Sequence, residues 1–255
     1  MIREETVWQA WWVNRRIKIY SMEWTDHGII IKQRRHGEYD AIITVLTEQN
    51  GKHFGLVKAG FASKRRATIE IGQEVKLRWQ ARLSDQLGRF DLEPTRNLSA
   101  AYFDDSKRLK AILSCASLLD AALPEREKHA DLYEDILLFL THLDEEYWLI
   151  NYVRWEMGLL AGLGYGFDLS SCAVTGAKDG LCYVSPRTGR AVSKKGAGEY
   201  VNRLLALPSF LIHEEKSVTS NDLKIGLKLT GYFLEHYVFH HQHVPPERGR
   251  FIQGI

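Results

Sequence analysis

Lys58, Lys64, Arg65, Arg66, Lys76, Arg78 and Arg82 fall within one short span of the chain, much of it the stretch GLVKAGFASKRRATIEIG at 55–72. Cations gathered in this way can hold a polyanion. Each phosphate neutralised by a Lys or Arg releases condensed counterions, worth about −0.7 per phosphate in the logarithmic salt slope on single strands. Phe61, in the same stretch, offers an aromatic face on which a base can stack. The seven cations are therefore candidates for a phosphate-tracking groove. The small residues around Gly60 and Ser63 suggest a flexible loop able to close over a strand of variable path. The competing reading is a solvated outer face, where Lys and Arg are common on any soluble domain.

Other residue types that could carry chemistry do not assemble into a motif. Gly158-x-x-x-Gly162 looks like a helix-contact motif, and Gly162-x-Gly164-x-Gly166 like a truncated dinucleotide fingerprint, which needs a strand before it and a helix after it. Here a helical pattern precedes and a turn-rich segment follows, so these glycines read as a helix terminus. His236 and His240 stand four apart on a helix, with His241 and His243 beyond, but no His-Glu-x-x-His motif accompanies them; they read as exposed histidines at a polar helix end. Cys115, Cys172 and Cys182 are sparse and odd in number, which fits a reducing cytoplasm better than a disulfide framework. Cys172 and Cys182 do not form paired Cys-x-x-Cys knuckles. No paired carboxylates, Ser/His/Asp arrangement or activated cysteine stands out. The expected activity is binding, with no catalytic or cofactor-binding residues.

The totals set the frame for that binding. With 34 basic and 32 acidic side chains among 255 residues, the formal net charge is +2, so a nucleic-acid site must be a local patch. A hydrophobic share of 45% and a charged share of 26% are those of a soluble globular protein. No apolar run approaches the roughly 18 to 20 residues needed to cross a bilayer. Residues 1–21, MIREETVWQAWWVNRRIKIYS, are punctuated by charge and make a poor signal peptide. Met22 is the expected working start, with 1–21 a loosely attached extension whose Trp8, Trp11 and Trp12 can dock elsewhere.

Positioning the cations requires strands. From Trp24 to about Glu93 the chain is rich in Ile and Val, and Gln49-Asn50-Gly51 marks a hairpin turn. In EVKLRWQARL (74–83), Val75, Leu77, Trp79 and Ala81 alternate with Lys76, Arg78, Gln80 and Arg82, sending the cations outward. About five strands without an intervening helix predict an OB-type barrel over 22–94; an SH3-like barrel or a sandwich fits the pattern almost as well. The span 95–255 reads as a helical domain. Asp104-Asp105 cap a helix that ends before Pro124, and helical patterns follow at 131–143 and 145–163. A turn-rich hairpin insert occupies about 168–195. Helices resume at 199–207 and, behind a capping box at Thr219 and Asp222, from Asn221 towards His240. The fold class is α+β.

Several segments resemble the RecO family of bacterial DNA repair and recombination mediators. They are MEWTDHGIIIKQRRHGEYDAIITVLTEQNGKHFGLVKAG, LEPTRNLSAAYFDD, YVRWEMGLLAGLGYGFDLSSCAVTG and YVSPRTGRAVS, and the likeness extends from Met22 to the C-terminus. The resemblance implies an OB fold and a helical domain, binding to single- and double-stranded DNA, and annealing of complementary strands in the cytoplasm, at the nucleoid. It implies partnership with RecR, recognition of the acidic, apolar C-terminal tail of the single-stranded-DNA-binding protein, and loading of RecA at gaps. Many relatives carry a four-cysteine zinc site in the insert. Here only Cys172 matches, with Thr175, Ser193 and Gly196 at the other three positions, so the expectation is that zinc has been lost. Without the resemblance, an adaptor that binds only protein, or an OB-fold protein acting on RNA, fits the same residues. A hydrolase built on the histidine-rich C-terminus has little support.

Overall fold

The computed structural model describes residues 22–83, 86–213 and 218–255; the expectations for 1–21 lie outside these residues. Five strands, β1 (Met22–His36), β2 (Asp40–Thr47), β3 (Gly51–Val57), β4 (Gln73–Ala81) and β5 (Gly88–Asn97), close in the order β1-β2-β3-β5-β4. Every pairing is antiparallel except the short parallel one between β3 and β5, where Gly55 faces Gly88. This is the OB-type barrel. Closure depends on those two glycines. A Cβ on Gly55 would stand 2.8 Å from the Phe90 ring, and one on Gly88 would land inside the Trp79 indole.

The period of two holds in β4: Val75, Leu77 and Trp79 line the barrel core with Ile30, Ile43, Val45, Val57, Ile69 and Phe90. The strand stops at Ala81, and Leu83 is exposed. The run Ile29-Ile30-Ile31 is buried throughout because the barrel is covered on that side. Ile30 joins the barrel core, whereas Ile29 and Ile31 belong to the core of the helical domain. The β2–β3 turn is held by Asp26, whose carboxylate accepts from the Gln49 amide (3.0 Å), the Asn50 amide (3.1 Å) and the Asn50 side chain (2.8 Å).

The helical domain begins with α1 (Ser106–Ala122), α2 (Ala130–Thr141) and α3 (Trp148–Gly162). Asp105 caps α1 by accepting from the amides of Lys107 and Arg108. α1 is tied to the barrel by Lys32–Asp120 at 2.6 Å and by the buried Lys52 ammonium on the Asp120 carbonyl at 2.5 Å. α3 ends as its glycines suggest. Gly164 takes φ 86, its amide reaches the Ala161 carbonyl, and the Tyr165 amide reaches that of Leu160.

The insert contains the expected hairpin, β6 (Leu181–Val184) with β7 (Ala191–Ser193), followed by a single helical turn α4 (Lys194–Ala197). The helix expected at 199–207 is absent. In its place a 3-10 segment, Gly198–Arg203, leads into β8 (Leu205–Ala206), which adds a third strand beside β6. Gly198 at φ 47 breaks the helical path before it, and Pro208 prevents continuation after it. α5 (Ser220–Phe233) opens on the capping box at Thr219 and Asp222 and passes into a π-type turn, Leu234–Val238. A last helix, α6 (Pro246–Ile252), was not evident in the sequence pattern. Among the described residues no helix is long and apolar enough to cross a membrane.

Candidate nucleic-acid interface

The connection between β3 and β4 carries the Lys64-Arg65-Arg66 run, and it is not the free flap expected from its small residues. The Asp40 carboxylate accepts from the Ala59 amide and from the Lys58 ammonium, each at 2.8 Å. Those hydrogen bonds, Lys58 first, hold the Asp40 carboxyl below the usual range. The Phe61 amide donates to the Tyr39 carbonyl, amides of Arg65 and Arg66 close a turn on Ala62, and Ile69 is fully buried in the barrel core. Gly60 permits the approach to β2, since a Cβ there would stand 2.7 Å from that of Ala41.

Phe61 is also not an open stacking platform. It is half-buried against the barrel core, and the Arg35 guanidinium lies 5.0 Å from its ring centroid. The exposed aromatic beside it is Tyr39, 55% accessible at the β1–β2 hairpin tip. The docking of the connection onto this hairpin brings Lys58, Lys64, Arg65 and Arg66 to the same end of the barrel as Arg34 and Arg35. Arg34, Arg35 and Tyr39 were missed in the sequence, although two adjacent cations before the turn residues of QRRHGEY were a usable signal. Lys64 and Arg66 are exposed and have no ion-pair partner among the described residues.

The outward row of β4 behaves differently. Lys76 and Arg78 do face solvent, but the neighbouring strands place acids against them. Arg78 pairs with Asp91 at 2.8 Å and with Glu23 at 3.4 Å, and Lys76 sits opposite Glu93 in the β4–β5 register. Arg78 above all holds the Asp91 carboxyl low. A shallow groove of about 220 Å³ runs here between Thr25, Lys76, Arg78, Asp91 and Glu93, of mixed sign. The single basic groove expected from alternation is therefore divided. Alternation within one strand cannot show what the adjacent strands bring across. Arg82, just past the end of β4, is exposed.

The C-terminal histidines make local contacts. His236 stacks on Tyr232 at 4.0 Å, and His236 and His240 each direct Nδ1 to a backbone carbonyl. Among the described residues no three His, Cys, Asp or Glu are arranged for a metal ion. In the insert, Thr175, Ser193 and Gly196 gather around Cys172. The Cys172 sulfur accepts from the Ser193 amide (3.2 Å), the Ser193 hydroxyl (3.3 Å) and the Thr175 amide (3.4 Å). Burial alone would push the thiol up, but these hydrogen bonds outweigh it and bring it down to about 6. One thiolate, two neutral hydroxyls and a glycine do not fit a tetrahedral structural zinc site, which takes four Cys or His ligands.

Comparisons with known proteins cover both domains. Residues 22–97 match the family described as "Recombination protein O N terminal", and residues 104–244 match "Recombination protein O C terminal". The chain is 46% identical over 239 residues to the DNA repair protein RecO of Hyphomonas neptunium, covering 92% of this chain and 98% of that protein. It is likewise 46% identical over 235 residues to the DNA repair protein RecO of Rhodospirillum centenum, covering 91% and 94%. A third similar protein, the DNA repair protein RecO of Caulobacter vibrioides, is 42% identical over 232 residues, 89% of this chain and 92% of the relative. With both halves of the fold matched and most of each chain aligned, this protein belongs to the RecO family.

Proposed function

We propose that this protein acts in DNA repair and homologous recombination by binding single- and double-stranded DNA and annealing complementary strands. With RecR, it helps RecA load onto DNA coated by the single-stranded-DNA-binding protein, whose acidic tail it recognises. No bond is made or broken in this scheme. Cations hold two strands near one another, and base pairing drives the joining. The observation that carries the reading is the exposed Lys64-Arg65-Arg66 run on a connection docked, through Phe61, against the hairpin that carries Arg35 and the exposed Tyr39. Membership of the RecO family supports DNA over RNA as the polyanion, and the names of the relatives support a role in repair. The groove on β4 contributes less, because Arg78 is already neutralised by Asp91 and Glu23.

Anisotropy of a labelled single-stranded oligonucleotide, titrated at low and moderate salt, tests the proposal. Affinity that falls steeply with salt, and that is lost when Lys64, Arg65 and Arg66 are all replaced by Ala, is the expected result. Absence of binding at low salt overturns it in favour of an adaptor that contacts protein alone. Unchanged affinity in the triple variant removes the loop from the interface.

A further inference from the structure

We infer that the insert is a metal-free knuckle organised on the Cys172 sulfur, in which hydrogen bonds from Ser193 and Thr175 replace the bonds to an ion. Cys172, Thr175, Ser193 and Gly196 converge on one point. Here the Ser193 hydroxyl lies 3.3 Å from the Cys172 sulfur and 3.5 Å from the Thr175 hydroxyl. At position 196 a Cβ would stand 2.7 Å from that sulfur, so glycine is the residue that lets the chain pass. These contacts are direct hydrogen bonds, and two neutral hydroxyls with a glycine bring no second thiolate or imidazole to an ion.

Ser193 is the centre of the replacement. Its amide and hydroxyl both donate to Cys172, and its hydroxyl oxygen accepts from the Gly196 amide at 3.1 Å. Residue 193 thus links the end of β7 and the α4 turn to the segment carrying Cys172, as a shared metal would. Around this polar cluster Cys172, Val192 and Ala197 form a small core of their own, with Leu181, Tyr183 and Leu204 packed against it. A sulfur buried under three donors is bound more tightly than a neutral acceptor would be. The insert therefore needs no ligand to hold its three strands.

The test uses the full chain expressed with zinc supplied in the medium. Metal analysis is expected to find far less than one equivalent of zinc, and an excess of chelator to leave the unfolding midpoint where it was. The positive arm is thiol labelling of the native protein in a Cys182→Ser background, where Cys115 is shielded by the helical core. Adding Ser193→Ala there is expected to raise the labelling rate of Cys172 about tenfold or more, because a charge-assisted hydrogen bond no longer opposes local opening. Stoichiometric zinc, a midpoint lowered by chelator, or a labelling rate indifferent to Ser193→Ala would each overturn the inference.

Discussion

Glu156 on α3 and Arg248 on α6, 92 positions apart, form a two-point ion pair closed off from solvent, with Nε–Oε1 at 2.6 Å and Nη2–Oε2 at 2.9 Å. The remaining valences are met. Hydroxyls of Tyr152 and Thr230 donate to the carboxylate, and the guanidinium also donates to the Leu227 carbonyl. Tyr152 in turn contacts Ser114 at 2.7 Å, so α6 is clamped to α1, α3 and α5 together. Arg248→Ala would leave a carboxylate buried without its counter-charge, a change that costs about 3–5 kcal/mol. Urea unfolding should show this as a large fall in midpoint. Glu156→Gln combined with Arg248→Met should cost less than Arg248→Ala alone. If Arg248→Ala moves the midpoint no further than the exposed Arg250→Ala, the clamp carries little stability.

Gly88→Ala tests barrel closure in the same assay. The added methyl enters the space of the Trp79 indole where β5 meets β3, so a side chain or the strand pairing must shift. Overpacking of this kind costs about 1–3 kcal/mol. Trp79, whose indole N–H has no partner among the described residues, would change its fluorescence as it moves. Gly249→Ala on α6 is the control: open space surrounds it, and removing a helical glycine favours the fold by about 1 kcal/mol. Equal effects at the two positions would argue against the close approach at Gly88.

What was legible in the sequence is what local pattern encodes. The alternation in β4, the Asn50-Gly51 turn, the Asp105 cap and the Thr219–Asp222 box all operate within a few residues, and each appears in the structure. What was hidden depends on partners distant in the chain. Glu156 shares the stripe of Tyr152, Trp155, Leu159 and Leu160, and a lone carboxylate on an apolar face is the signal that it has a buried counter-ion. Its partner lies in α6, too short to show a period. The acids beside the basic face were hidden for a related reason, because Asp91, Glu93 and Glu23 reach β4 only through strand register. Arg35 over Phe61 was invisible until the β3–β4 connection was seen docked on the hairpin.

That docking separates two groups of cations that composition cannot distinguish. Arg34 and Arg66 have no ion-pair partner among the described residues, whereas Arg78 has two carboxylates. A phosphate approaching Arg78 must compete with Asp91 and Glu23, so few counterions are released there. Arg34→Ala with Arg66→Ala should flatten the logarithmic salt slope of oligonucleotide binding by about 1.4, at about 0.7 for each phosphate no longer neutralised. Arg78→Gln should leave the slope unchanged. The reverse ranking would move the interface to the β4 groove and away from the hairpin tip.

His53 makes the barrel sensitive to pH. Its ring is buried in edge contact with Trp24 at 4.9 Å and with Trp79 at 5.8 Å, and its Nδ1 has no hydrogen-bond partner among the described residues. Burial first, and then the charge of Arg126, lower its pKa below the ordinary histidine value of 6.5. The unfolded chain therefore takes up a proton before the folded one does. The stability contributed by neutral His53 is complete above 6.5 and is lost as pH falls from there through the folded value. Cys172, held at about 6, also loses stabilisation as pH falls from the free-thiol value of 9.0. The two are separated by difference. Urea midpoints of the wild-type chain and of His53→Phe, compared at about pH 7.5 and about pH 5.5, should show a smaller acid loss in the variant, since Phe keeps the aromatic contacts and carries no proton. The Cys172 share should persist in both. Equal acid losses would mean that His53 is protonated as readily in the barrel as in the unfolded chain, and the burial argument would fail.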